Sequence, residues 1–282
     1  MSEINETLQP STYASIMVTL NLGVDAADSV KLASSLASTF SSRLIGVAAE
    51  EVVMPYYGDG AITIDPAIIE QAKREVAEKL AKAETVFRRA AGTINDIDWR
   101  CAIGLPNPFA LEQARAADLV VVGRQGPDDA SHGRMAISPG DLVMGLGRPI
   151  LVVPPRTEHL AGKRIVIAWK DTREARRAVW DALPLLKRAE RVFVLAIGTD
   201  AAQQGAADVS DHLLRHGVPS RAILRSEPSG LVVDELIDFA EQETADLIVS
   251  GAYGHSRVRE WLFGGVTQDL LNSTPIPCLL SH

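Results

Sequence analysis

Apolar residues arrive in two rhythms along this chain. Short runs such as Ile16-Met17-Val18 and Leu119-Val120-Val121-Val122 are apolar at every position, whereas longer stretches return to an apolar residue every three or four positions. The first rhythm is that of a strand covered on both faces, the second that of a helix with one buried stripe. Strands are expected at 16–20, 43–48, 97–103, 119–122 and 149–153. Val30, Ala33, Ala37 and Phe40 mark a helix after the first strand, with Asp25 as its expected cap. The clearest helix has Asp65 at the N-cap, Pro66 at the first helical position and Gly92 as its stop. Its stripe is Ile69, Ala72, Val76, Leu80, Ala83 and Phe87. A shorter helix is expected at 108–116, and residues 1–11 are polar enough to fray.

Pro154-Pro155-Arg156-Thr157-Glu158 reads as a linker, after which the cycle restarts. Strands are expected at 164–169, 192–197, 221–224, 247–249 and 277–280. The helices between them are expected at 206–216 and 230–242, with an earlier one carrying Ala175, Val179, Leu183 and Leu186. Asp171 and Glu174 are spaced like a capping box at the start of that earlier helix. The restart is a true repeat. Ala117-Asp118-Leu119-Val120-Val121-Val122-Gly123 matches Ala245-Asp246-Leu247-Ile248-Val249-Ser250-Gly251, and 251 − 123 and 277 − 149 (the paired glycines and prolines) both give 128. Two tandem α/β domains follow, 1–157 and 158–282, each a Rossmann-like parallel sheet with helices on both faces.

Composition narrows the partners. The 282 residues are 46% hydrophobic and 23% charged, with a formal net charge of −8, which argues against nucleic acid or an anionic membrane as partner. No apolar run approaches the ~20 residues that span a bilayer. The acidic start, Met1-Ser2-Glu3-Ile4-Asn5-Glu6, lacks the core of a signal peptide. Two cysteines, Cys101 and Cys278, make no disulfide framework, so a cytoplasmic, reducing setting is expected.

The chemistry concentrates after the strand at 247–249. Gly251-Ala252-Tyr253-Gly254-His255-Ser256-Arg257 runs on to Gly264-Gly265-Val266-Thr267 and then to a helical stretch. Glycines let backbone N–H groups approach an anion, and a helix start adds unpaired donors. The pattern G-x2-G-x9-G-G-x-T resembles the nucleotide-binding signature of the universal stress protein family, and the resemblance extends over both lobes. It implies an adenine nucleotide alpha hydrolase-like fold with five parallel strands per lobe in the order 3-2-1-4-5. It also implies lobes that pair within the chain as separate subunits do elsewhere in the family, here expected through their last strands; further homodimers are left open.

By the same resemblance, Gly251, Gly254, Gly264, Gly265, Val266 and Thr267 would wrap phosphates, with His255 and Arg257 on the intervening loop. Ile197 would flank adenine, and Ala168, Trp169 and Lys170 stand where the first strand meets the nucleoside. Two positions depart from the family: Gly265 replaces a Ser or Thr, and Lys170 replaces an Asp. The first lobe departs further. Ala136, Ile137 and Pro139 stand for Gly264, Gly265 and Thr267, and Pro127-Asp128-Asp129 stands opposite His255-Ser256-Arg257, a contrast softened by His132 and Arg134. Asn21 is the better polar match at the nucleoside position.

Plainer readings stand beside these. The glycines can serve a tight strand-to-helix turn with no ligand. Arg257 and Arg259 can be a solvated face. Trp169 can be packing rather than a base-stacking surface. His212 and His216, spaced i and i+4, could share a metal, but a surface pair is the preferred reading because no third ligand suggests itself. No metal ligand is assigned.

Catalytic signatures are missing: there is no G-x-x-x-x-G-K-[ST], G-x-S-x-G or G-x-G-x-x-G, and no acid is evident to anchor a metal near the loop. The expected function is a cytoplasmic stress-response protein that binds ATP, AMP or another adenine nucleotide, with or without Mg, in its second domain as a regulatory module. A nucleotide-free interaction protein and a very slow ATP hydrolase are the alternatives.

Overall fold

The computed structural model describes residues 12–22, 26–53, 65–124, 137–226, 230–253 and 265–282. The chain divides into two compact units. One is Ser15–His159, and the other is Leu160–His282 together with the segment that ends at Ala14. Each is taken by itself below as the first and second lobe.

The first lobe runs β1 (Ser15–Thr19), α1 (Ala27–Phe40), β2 (Arg43–Glu50), α2 (Pro66–Ala91), β3 (Ile97–Ile103), α3 (Pro106–Gln113), β4 (Leu119–Gly123), α4 (Pro139–Gly145) and β5 (Ile150–Val153). Its strands are parallel in the order β3-β2-β1-β4-β5, with Met17 level with both Ile45 and Val120. Ile16, Met17, Val18 and Leu119 to Val122 are fully buried at successive positions, so both faces of the sheet are covered.

The sequence signals for α2 are realised in detail. Asp65 Oδ1 accepts from the Ala67 N–H at 2.9 Å, Pro66 opens the helix, and Gly92 ends it with φ +64. Of the expected stripe, Val76, Leu80 and Phe87 are buried, while Ile69 and Ala72 are only half-buried. At 26 residues α2 extends about 39 Å, against about 26 Å for the eight-residue β2 beneath it, so one end overhangs the sheet. Phe87 and Trp99 meet over Gly46, where a Cβ would stand 2.7 Å from the Phe87 ring. The helix expected at 108–116 begins two residues earlier and ends in a 3₁₀ turn, Ala114–Ala116. Asp25 lies outside the described residues.

The second lobe repeats the plan: β6 (Arg164–Ala168), α5 (Arg173–Asp181), α6 (Leu183–Leu186), β7 (Arg191–Ile197), α7 (Ala206–Arg215), β8 (Ser220–Arg225), α8 (Val232–Gln242), β9 (Leu247–Gly251), α9 (Val266–Asn272) and β10 (Cys278–Ser281). Its order, β8-β7-β6-β9-β10, is again 3-2-1-4-5 and all parallel. Thr12, Tyr13 and Ala14 belong here, and the buried Tyr13 donates its hydroxyl to the Asp181 carbonyl at 2.7 Å.

One part of the repeat has a visible structural purpose. Asp118, just before β4, accepts from the Ser15 N–H at 3.0 Å, and Asp246, just before β9, accepts from the Lys163 and Arg164 N–H groups at 2.9 and 3.2 Å. Each aspartate thus closes an otherwise unpaired strand start next door.

Two local expectations are corrected. Asp171 and Glu174 form no capping box. Thr172 is the N-cap, its Oγ1 accepting from the Ala175 N–H at 3.2 Å, while Asp171 is engaged by Arg176. The helix expected to reach Leu186 breaks at Ala182 because Pro184 has no N–H for the Trp180 carbonyl. Neither cysteine is in a disulfide, Cys101 being exposed and Cys278 buried. Among the described residues, no helix is long and apolar enough to cross a membrane.

Candidate functional site

In the second lobe the chain leaves β6 toward β7 and β8 on one side and returns through β9 and β10 on the other. The carboxyl ends of β6 and β9 therefore flank a crevice, the place where open α/β sheets bind ligands. Ala168 at the end of β6 pairs in register with Ser250 near the end of β9. A cleft of about 280 Å³ opens there. Ala168, Trp169, Lys170, Ile197, Gly251, Val266 and Thr267, all singled out by sequence, line it. Gly265 stands at the N-cap of α9 with extended backbone and no capping side chain. Gly254, His255, Arg257 and Gly264 lie outside the described residues.

Sequence reasoning did not single out the rest of the wall. Leu195 lies two residues before Ile197 on the same face of β7, a period-two relation that could have found it. Val232 and Leu236 reach the cleft from α8, and Thr172 and Ala175 from the start of α5. Their arrival depends on how those helices settle on the sheet, and nothing local signals it. Ser250 adds a hydroxyl that donates to the Gly251 carbonyl at 3.0 Å. The cleft thus joins an apolar wall (Leu195, Ile197, Val232, Leu236) to a rim of hydroxyls and one cation. Lys170 is exposed, and its ammonium makes no ion pair or hydrogen bond among the described residues.

Glycine and threonine have structural duties here too. A Cβ on Gly251 would stand 2.5 Å from the Ala175 backbone nitrogen and 2.7 Å from the Glu174 carbonyl carbon, so glycine lets α5 press onto the end of β9. Thr267 is buried and its Oγ1 accepts from the Tyr253 N–H at 3.3 Å, holding a residue at φ +55. Beneath the crevice, Glu174 is buried. Burial pushes its carboxyl up, but hydrogen bonds from Arg173, its own backbone N–H and Thr172 outweigh this and leave it below the usual glutamate range.

The corresponding end of the first lobe is arranged differently. Asn21 Oδ1 accepts from the Ile137 N–H at 3.0 Å, and Asn107 Oδ1 accepts from the Ser138 N–H at 3.0 Å. Ile137 is buried, Ser138 caps α4 by accepting from Asp141 N–H at 3.3 Å, and Pro139 opens that helix. The polar side chains there bind the lobe's own backbone.

Trp169 is nine-tenths buried, with its Nε1–H donated to the Gln204 carbonyl at 2.6 Å. His212 and His216 have ring centroids 4.7 Å apart, edge to face. Among the described residues no three His, Cys, Asp or Glu side chains are grouped to hold a metal ion.

The model of the universal stress protein family matches residues 162–282. These residues belong to the universal stress protein family. The matched segment is the second lobe, which carries the cleft. Universal stress protein Slr1230 of Synechocystis sp. is 22% identical over 168 residues, 57% of this chain and 57% of that protein, so this chain spans little more than half of that relative's length. A universal stress protein from Archaeoglobus fulgidus superposes with a TM-score of 0.69 at 13% identity, over 95% of this chain and 96% of that one. A functionally unknown protein from Pseudomonas aeruginosa PAO1 superposes with a TM-score of 0.54 at 14% identity, over 95% and 92%. At such identities the superpositions establish the universal stress protein fold and nothing finer.

Proposed function

We propose that the second-lobe cleft binds an adenine nucleotide and that the protein acts as a regulatory binding module of the stress response, not as an enzyme. The observation that carries this reading is the cleft itself. At the switch point of a universal stress protein sheet, an apolar wall of Leu195, Ile197, Val232 and Leu236 faces Lys170, unpartnered among the described residues, and the first turn of α9. A purine suits such a wall, and Lys170 suits an anionic phosphate. The first lobe, with Asn21 and Asn107 engaged on its own backbone, is assigned no nucleotide.

Isothermal titration of the full chain tests this, with ATP, AMP and adenosine as probes. Solved universal stress proteins hold cAMP in one case and dAMP in another, so both are added as probes. One nucleotide per chain is expected, and no heat of binding at millimolar nucleotide would overturn the reading. The pairing of lobes and a cytoplasmic setting belong to the same proposal. Solution scattering that fits two separated bodies would count against the pairing.

A second reading has its own support. Gly251 is needed for packing whether or not a ligand binds, so the glycine pattern fits a nucleotide-free interaction protein as well. Native mass spectrometry of the purified chain separates the two readings, since a retained nucleotide mass excludes the second.

A further inference from the structure

A second and larger cleft, about 440 Å³, opens on the second lobe between α5–α6 and α7. It lies within the range of about 300–1,000 Å³ usual for small-molecule sites. It shares only Trp169 with the cleft described above. Its floor is aliphatic, from Val179, Leu183, Val209 and Leu213, and its mouth is aromatic. Trp180 remains 60% exposed there, edge to face with His216 at 5.8 Å, and His216 in turn meets His212. The three packed rings edge an aliphatic floor that suits a flat ring, and burying the open face of Trp180 would drive its entry.

The charges of the rim set the polarity. Arg176 lies on Asp171, and the Asp171 N–H is tied to Gln204 Oε1 at 2.7 Å, so that pair is closed. Asp208, one turn before His212, has no ion pair or side-chain hydrogen bond among the described residues. Apart from the histidines, the rim carries one uncompensated negative charge, and the exposed tryptophan face itself attracts cations.

We propose that this cleft binds a planar aromatic amine, its ring on the aliphatic floor against the open face of Trp180 and its ammonium on Asp208. The sequence showed His212 and His216 as a spaced pair without a third ligand; here they serve as walls, not as metal ligands.

Tryptamine is the probe, with indole-3-acetate as the comparator that keeps the ring and reverses the charge. Both are titrated into the full chain at the same pH and followed by NMR. Saturable binding at about 0.1–1 mM is the expected range for a ligand of this size. The shifts should centre on His212, His216 and the Trp180 indole. Trp180→Ala and Asp208→Asn should each weaken tryptamine about fivefold or more. Both side chains are exposed, so these variants keep the fold. Indole-3-acetate should bind about tenfold more weakly than tryptamine. No saturation by about 10 mM, equal affinity for the two probes, or an unchanged Trp180→Ala variant would overturn the proposal. So would shifts centred on Ile197 and Gly251, which would place the probe in the other cleft.

Discussion

Each lobe ends its fourth strand in a glycine, and the two glycines face different neighbours. A Cβ on Gly251 would meet the backbone of Glu174 and Ala175, which cannot yield without moving α5. A Cβ on Gly123 would meet the hydroxyl of Ser29 at 2.6 Å, an atom at the end of a rotatable side chain. The same contrast runs through the crevices. In the first lobe Asn21 and Asn107 satisfy the backbone at Ile137 and Ser138, whereas the second lobe keeps Gly265 without a capping side chain and, among the described residues, Lys170 without a partner. A duplicated sequence can therefore keep its sheet while the polar side chains at the strand ends of one copy engage its own backbone. The repeat preserves what the sheet needs, such as Asp118 and Asp246 at the strand starts.

The glycine contrast offers the largest test. Gly251→Ala should destabilise the second lobe by about 1–3 kcal/mol through overpacking against backbone, and Gly123→Ala should cost the first lobe less than about 1 kcal/mol. Urea unfolding of the two variants checks this, and equal losses would erase the distinction.

Next in size is the cation. Lys170→Ala should weaken ATP by about tenfold, or about 1.4 kcal/mol, and leave adenosine nearly unchanged, since an exposed charge-assisted contact falls at the low end of its range. The loss should shrink at high salt. A titration in which ATP and adenosine weaken alike would remove Lys170 from phosphate recognition.

A smaller effect is expected across the comparison. Asn21→Ala leaves the Ile137 N–H without its acceptor and should cost about 1 kcal/mol of first-lobe stability with no change in nucleotide affinity. A change in affinity would show that the first lobe takes part in binding after all.

The smallest concerns acid. Glu174 is held below the usual glutamate range in the folded lobe, so its ionised form favours folding. That contribution is present above the ordinary glutamate pKa and is lost as pH falls through the lower, folded value. Glu174→Gln should flatten this part of the stability profile below about pH 4.5. An unchanged profile would mean that its hydrogen bonds do not distinguish folded from unfolded chain.

Local order determined much of this protein. Both-faced apolar runs gave the strands, Asp65, Pro66 and Gly92 bounded α2, and the constant spacing of 128 residues revealed the second lobe, because each signal is written in neighbours or in a fixed period. The residues Ala168, Ile197, Gly251 and Thr267 could be named through the resemblance of their pattern to the universal stress protein signature, and each lies at the end of a legible element. Tertiary packing alone decided the rest. Thr172 displaced Asp171 as the cap because Asp171 found Arg176, and Asn21 met Ile137 across 116 positions. Val232 and Leu236 completed one cleft from α8, and Trp180 and His216 formed the mouth of another across two helices. Such meetings depend on how helices seat on a sheet, a long-range balance of burial and hydrogen bonding that no local pattern of residues records.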